Sequence, residues 1–237
     1  MKDKSDKHSI SKDIIFDIPF RVVIVGKTGC GKTSCLGSLL LLNQFYRNDF
    51  KGKDTYIFSP LVNDFKMEQI ISAKDIPDMN VFNGYDEDLL NALYDKLVEE
   101  YKKEEDELGK VSPKLVVLDD CSFDGSLRKG LFNSVSRIFC NGRKHNISII
   151  ITSQFYTHIL PVCRSNISGA ILYNTNRRQL ELIAEDNNYL KTKKNFINEV
   201  FYENVKEKHD FIVINYSNPR SDLYLNKNFE VINTEDM

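Results

Sequence analysis

Residues 26–33 read Gly26-Lys27-Thr28-Gly29-Cys30-Gly31-Lys32-Thr33, a G-x-x-x-x-G-K-[ST] run that leaves few folds open. Glycines let a backbone turn tightly enough for successive N–H groups to point inward at an anion. The apolar stretch 20–25 (FRVVIV) precedes the run, and such stretches mark strands buried on both faces, as in parallel sheets. Leucines at 36, 39 and 40 follow at helical spacing and predict a helix over 33–46. Strand, glycine-rich loop and helix in that order make a phosphate cradle, to which the helix adds its positive end. Lys32 is placed to reach the β- and γ-phosphates of a nucleoside triphosphate, and the Thr33 hydroxyl to ligate Mg²⁺. Gly26, Lys27, Thr28, Gly29, Cys30, Gly31, Lys32, Thr33 and Ser34 are therefore the expected ATP contacts. A chance match somewhere in a chain this long has odds of roughly one in a hundred at average residue frequencies. At Cys30 the helix N-terminus favours a thiolate. Alkylation there is expected to inactivate the protein and ATP to protect it, the alternative being a small residue that simply fits.

The second acid-bearing motif is Val116-Val117-Leu118-Asp119-Asp120, an apolar strand ending in two carboxylates. Taken alone, such an ending also suits an ordinary turn. Downstream of a phosphate loop, Asp119 is expected to hold Mg²⁺ through water and Asp120 to polarise the attacking water. A parallel strand delivers its C-terminal end to the ligand side of the sheet. The apolar run 147–152 ends at Ser153-Gln154, and Gln154 is the candidate that senses the γ-phosphate, unless it is an ordinary loop glutamine.

Elsewhere, apolar runs predict strands at 54–58, 80–83, 115–118, 170–173 and 211–216, and a small hairpin over 223–232. Helical periodicity covers 86–108, 127–138 (ended by Gly142), 177–189 and, more weakly, 193–206. Residues 1–13 are polar and rich in lysine and aspartate, a mobile tail. We divide the chain into a flexible tail, 1–17, and a single domain, 18–237. Strands alternating with helices imply an α/β fold: a P-loop NTPase of the RecA/ASCE-like kind, a three-layer sandwich with a mostly parallel central sheet.

The net charge of -2 supplies no global basic field, so a nucleic acid would have to meet local patches. Short clusters at Arg128-Lys129, Lys144-His145, Arg177-Arg178 and 191–194 are available, though each also reads as solvated surface. The five cysteines show no C-x-x-C spacing, which argues against zinc and, with no signal peptide ahead of the first strand, for a reducing compartment. No apolar run approaches the roughly 18 residues that cross a bilayer, so no membrane partner is expected.

Two adjacent acids, with no N-K-x-D and no D-x-x-G beginning at Asp119 or Asp120, point away from GTPases. The segments PFRVVIVGKTGCGKTS, KLVVLDDCS, NGRKHNISIIITSQ and LPVCRSNISGAILY resemble the poxvirus-type DNA-packaging ATPases of the HerA/FtsK superfamily over residues 18–216. The resemblance implies a homo-oligomeric ring, pentamer or hexamer, with ATP at each subunit boundary. It implies ATP hydrolysis that drives double-stranded DNA, without sequence preference, into a preformed capsid. Capsid or portal-vertex components would be partners, and the virion or the viral factory in the host cytoplasm the location. Such a ring needs an arginine from the neighbouring subunit at the transferring phosphate. Arg164 and Arg143 are the candidates, both expected on the ligand side of the sheet. A cellular DNA pump or helicase of the same superfamily, a P-loop nucleotide kinase, and an ATP-holding switch without turnover are the competing readings. A kinase would carry an arginine-rich lid, which 52–110 does not resemble, and a switch would need no base at Asp120.

Overall fold

A computed structural model describes residues 15–121, 133–187 and 196–233. At its centre is a sheet of eight strands in the order β3-β2-β4-β5-β1-β6-β7-β8. The strands are β1 (Arg21–Val25), β2 (Thr55–Ser59), β3 (Val81–Asn83), β4 (Lys114–Asp119), β5 (Ile147–Ser153), β6 (Gly169–Tyr173), β7 (Phe211–Asn215) and β8 (Tyr224–Leu225). Pairing from β3 through β6 is parallel, and β7 and β8 join antiparallel. The helices are α1 (Lys32–Leu41), α2 (Phe65–Ala73), α3 (Glu87–Leu108), α4 (Ser134–Asn141), α5 (Pro161–Arg164), α6 (Arg177–Asn187) and α7 (Phe196–Asn204).

The runs that looked continuously apolar are buried on alternating faces, because successive strand residues point to opposite sides. Val22, Ile24, Ile57, Leu115 and Val117 pack with residues of α1 and α2. Val23, Val25, Phe58, Val116 and Leu118 pack with residues of α3, α4, α6 and α7. This is the expected three-layer sandwich. β5 lies between β1 and β4, with Val25 beside Ser153 and Asp119 beside Thr152. The loop after β1, the acids after β4 and Gln154 after β5 therefore share the C-terminal edge of the parallel strands.

Several local expectations shift. α1 ends at Leu41, because Leu42 turns extended (φ −86°, ψ 138°); the leucine run made that helix look longer. α4 ends at Asn141 with Gly142 as its C-cap, as expected, but Gly142 keeps right-handed backbone and opens a 3₁₀ turn over Gly142–His145, which Asn146, at φ 53°, ends. The hairpin expected over 223–232 is reduced to a single antiparallel bridge from Leu225 to Val231, and its first arm, β8, pairs instead with β7. Packing begins ahead of residue 18, the expected boundary: Phe16 is buried, and the Tyr46 hydroxyl donates to its carbonyl and accepts from its N–H. Leu127, Leu131, Arg128, Lys129 and residues 188–195 lie outside the described residues.

Lys114, the first residue of β4, is buried with its ammonium 2.8 Å from Asp54 and 3.1 Å from Glu104. These carboxylates hold its pKa above the usual lysine value against the effect of burial. Lys114→Ala would strand the buried Asp54 carboxylate. We expect a loss of about 3–5 kcal/mol, the usual result of removing one partner of a buried pair, read by urea unfolding at neutral pH.

Candidate active site

The loop after β1 is shaped by crowding as well as by turning. A Cβ on Gly26 would sit 2.4 Å from Tyr173 Cβ and 2.7 Å from Cys30 Sγ, so only glycine lets the loop leave β1 against β6. Gly31 has φ 115° and stands at the N-cap of α1 without a side-chain hydrogen bond, and the first turn of α1 carries no acid. By contrast α2, α3 and α4 begin with side-chain caps from Asp64, Asp86 and Asn133. The free N–H groups of α1 and its positive end are thus left for an external anion. Lys27, Thr28 and Gly29 are exposed at the loop's apex, and Ser34 is exposed just inside the helix.

Lys32 is buried, and its ammonium donates back across the loop to the carbonyls of Gly26 (2.9 Å) and Lys27 (3.4 Å). Asp119 is 2 % exposed. Its carboxylate accepts from Thr152 Oγ1 at 2.7 Å and from Ser59 Oγ at 3.3 Å. Burial is the main influence on it and pushes its pKa up, against these hydrogen bonds and the Lys32 ammonium. Asp120 has φ 50°, and its N–H donates to Thr152 Oγ1 at 2.9 Å. Gln154 Nε2 donates to the Asp120 carboxylate oxygens at 3.1 and 3.4 Å. One threonine thus fixes both acids, and the glutamine reaches the second. The phosphate loop, Asp119, Asp120 and Thr152 all line one cleft of about 1100 Å³.

Two sequence expectations are corrected here. Cys30 is 3 % exposed, and burial raises its pKa, opposed by the nearby Lys32. Burial overrides the helix N-terminus, so the thiol is not an activated nucleophile. The arginines do not lie on the ligand side. Arg143 stands in the turn ahead of β5 and Arg164 at the end of α5 ahead of β6. Residues that precede parallel strands lie at the edge opposite the phosphate loop. Arg164 is tied down there: Nε lies 2.8 Å from Asp186 Oδ2, Nη1 donates to the Ile159 carbonyl at 3.2 Å, and the guanidinium rests over the Tyr156 ring. Arg143 is exposed.

The structure also brings in residues that carry no motif. His209 Nδ1 lies 2.8 Å from the Cys30 carbonyl, 179 residues away in the chain, so that nitrogen carries the proton. The Tyr173 hydroxyl donates to the Gly31 carbonyl at 3.4 Å. The Lys208 ammonium lies 3.9 Å from where a Cβ on Gly29 would stand. From the other side of α1, Lys66 donates to Ser34 Oγ at 2.8 Å. Asp210 holds the turn that carries Lys208 and His209: its carboxylate accepts from the N–H groups of Lys206 and Glu207 and from the Lys227 ammonium. Among the basic clusters, Lys144 is exposed, whereas the His145 ring packs edge-on against Tyr94 and Tyr101.

Comparison with known proteins agrees with this fold. Residues 7–224 match the family described as Poxvirus A32 protein. Protein 015R of Frog virus 3 is 27% identical over 176 residues, covering 73% of this chain and 49% of that protein. Protein 075L of Invertebrate iridescent virus 6 is 24% identical over 166 residues, covering 69% and 58%; the chain thus spans about half the length of these relatives. Among solved structures, the genome packaging NTPase B204 of Sulfolobus turreted icosahedral virus 2 in complex with ATP-gammaS superimposes with a TM-score of 0.56. Its identity is 14%, over 84% of this chain and 93% of that one. The cytoplasmic domain of the Thermomonospora curvata type VII secretion ATPase EccC gives 0.57 at 14% identity, over 90% and 25%. At these identities the likeness establishes the fold: a P-loop NTPase domain with a mostly parallel central sheet.

Proposed function

The chain belongs to the poxvirus A32 protein family, and from that membership and the geometry of the cleft we propose that it hydrolyses ATP to move double-stranded DNA into a viral capsid. The observation that carries the reading is the meeting of three chain segments at one edge of the sheet: the phosphate loop with Lys32, the acids Asp119 and Asp120 after β4, and Thr152 with Gln154 at the end of β5. B204, a genome packaging NTPase whose structure holds ATP-gammaS, supports the reading from a shared fold.

The residues fit a magnesium nucleotide. α1 has no side-chain cap, and Asp119 is a buried carboxylate that lines the same cleft as Thr33, oriented there by the Thr152 and Ser59 hydroxyls. Thr33 and Asp119 would hold Mg²⁺, which neutralises phosphate charge when bound. In the reaction we assign, the loop N–H groups orient the triphosphate. Lys32 leaves the Gly26 and Lys27 carbonyls for the β- and γ-oxygens, where preorganised positive charge favours the transition state. Asp120 accepts the proton of the attacking water at a carboxylate oxygen, and the Gln154 amide, already bonded to that carboxylate, orients the same water.

Work on DNA requires more than one copy. A ring would supply an arginine to the cleft, whose lining has none among the described residues. Arg143, exposed at the opposite edge, is the candidate for that role in trans, while Arg164 serves to join α5 to α6. We place the action in the virion or the viral factory in the host cytoplasm, with capsid or portal-vertex proteins as docking partners. Among the described residues, no helix is long and apolar enough to cross a membrane. Contact with DNA would be made through phosphates, with little sequence preference and a marked dependence on salt.

Phosphate release with and without double-stranded DNA tests the proposal. DNA should raise the rate several-fold at low salt, and the particle mass with ATP and DNA should be a multiple of the chain's 27.4 kDa. A rate indifferent to DNA, with phosphate passing instead to a nucleoside monophosphate, would overturn it in favour of a kinase.

A further inference from the structure

The cleft has a second wall of different chemistry, and we infer that Phe211 and Phe229, together with Phe45, seat the nucleobase of the bound nucleotide by stacking, with little discrimination between purines. The inference rests on the phosphate-loop reading above and extends it. Tyr173, whose hydroxyl touches Gly31, begins a row of rings. Phe211 lies 5.0 Å from it, Phe229 5.8 Å from Phe211, and Phe45 5.1 Å from Phe229, centroid to centroid. All four rings line the same cleft as Thr28 to Cys35. The row therefore starts at the phosphate cradle and leads away from it, as a ribose and base lead away from a phosphate chain. The three phenylalanines are only partly buried, so ring surface remains available to a ligand.

Phe229 is also held at a cost. Its φ of 64° is a left-handed conformation that bulky side chains avoid. The surrounding turn imposes it. The Phe229 N–H donates to the Asn226 carbonyl, and Asn226 Oδ1 accepts from the N–H groups of Asn228 and Glu230. Lys227 anchors this turn to Asp210, at 2.7 Å, beside the residues that lean over the phosphate loop. Strain of this kind persists where surrounding contacts over-determine it, and it gathers at ligand clamps. Selectivity follows from the same wall. Stacking tolerates any base because every base has a π-face, whereas strong discrimination needs buried hydrogen-bonding groups. The amide side chains at this end of the cleft, Gln44 and Asn228, are exposed.

Affinities of the full chain for ATP, GTP and inorganic tripolyphosphate, measured with magnesium by calorimetry, provide the test. Phe229→Gly removes the ring at a backbone angle glycine adopts freely, and Phe229→Tyr keeps the ring. We expect Phe229→Gly to weaken ATP and GTP roughly tenfold and tripolyphosphate less than about twofold, and Phe229→Tyr to bind as the parent does. ATP and GTP should differ by less than about tenfold in the parent chain. Unchanged ATP affinity in Phe229→Gly, or a purine preference far beyond that range, overturns the base seat while leaving the phosphate site standing. A parent chain that binds neither ATP nor tripolyphosphate overturns both.

Discussion

Lys32→Ala should abolish measurable turnover and weaken ATP binding. The lysine is buried and its ammonium donates to the Gly26 and Lys27 carbonyls, so it stands inside the loop, ready to exchange those carbonyls for phosphate oxygens. Truncation removes the positive charge from the centre of the cradle and leaves bound phosphate oxygens facing only backbone dipoles. Loss of one preorganised donor to developing charge costs roughly a hundred- to a thousandfold in rate. Loss of a charge-assisted hydrogen bond costs roughly ten- to a hundredfold in affinity. Phosphate release gives the first number and calorimetry with a non-hydrolysable analogue the second. A melting scan separates both from unfolding, since α1 and β1 keep their packing without the lysine. Hydrolysis at the parent rate would remove Lys32 from the phosphate site.

The second large effect splits binding from chemistry. Asp120→Asn keeps the shape of the side chain and an oxygen for the Gln154 amide, but it cannot accept a proton from water. A positioned general base contributes about 10²–10⁴ in rate. We therefore expect kcat to fall by about that range, with analogue affinity within roughly threefold of the parent, well under the cost of a lost charged contact. The split is expected because Asp120 touches Gln154 and Thr152 and has no contact with the phosphate loop, whereas Asp119 is the acid placed for the metal. Equal falls in affinity and rate would move Asp120 to the metal, and unchanged turnover would show that another group takes the proton.

How much of this was legible in the sequence depends on how local the cause is. The phosphate loop, Asp119, Asp120 and Gln154 announce themselves because each follows directly on an apolar strand, and a parallel strand fixes where its next residue goes. The same reasoning misplaced Arg143 and Arg164: they precede strands, and the rule puts them at the far edge. α2 escaped notice because only Met67 and Ile70 of its nine residues are buried, too narrow a stripe to show a period. His209, Lys208 and Phe229 carry no motif. They reach the loop because β7 turns back antiparallel on β6, a pairing set by the whole sheet rather than by neighbours in sequence. The helix dipole alone makes Cys30 look reactive, whereas its burial against Gly26 depends on how the whole loop packs.

The insertion of β5 between β1 and β4 has a consequence for synthesis. The loop is made early and its opposing acids some ninety residues later, yet neither can face the other until the intervening strand has been translated and threaded between them. The clamp over the loop waits longer still, for residues beyond 208. Such late, long-range closure is slow. The cleft is therefore complete only after β5 and the segment around His209 have joined the sheet.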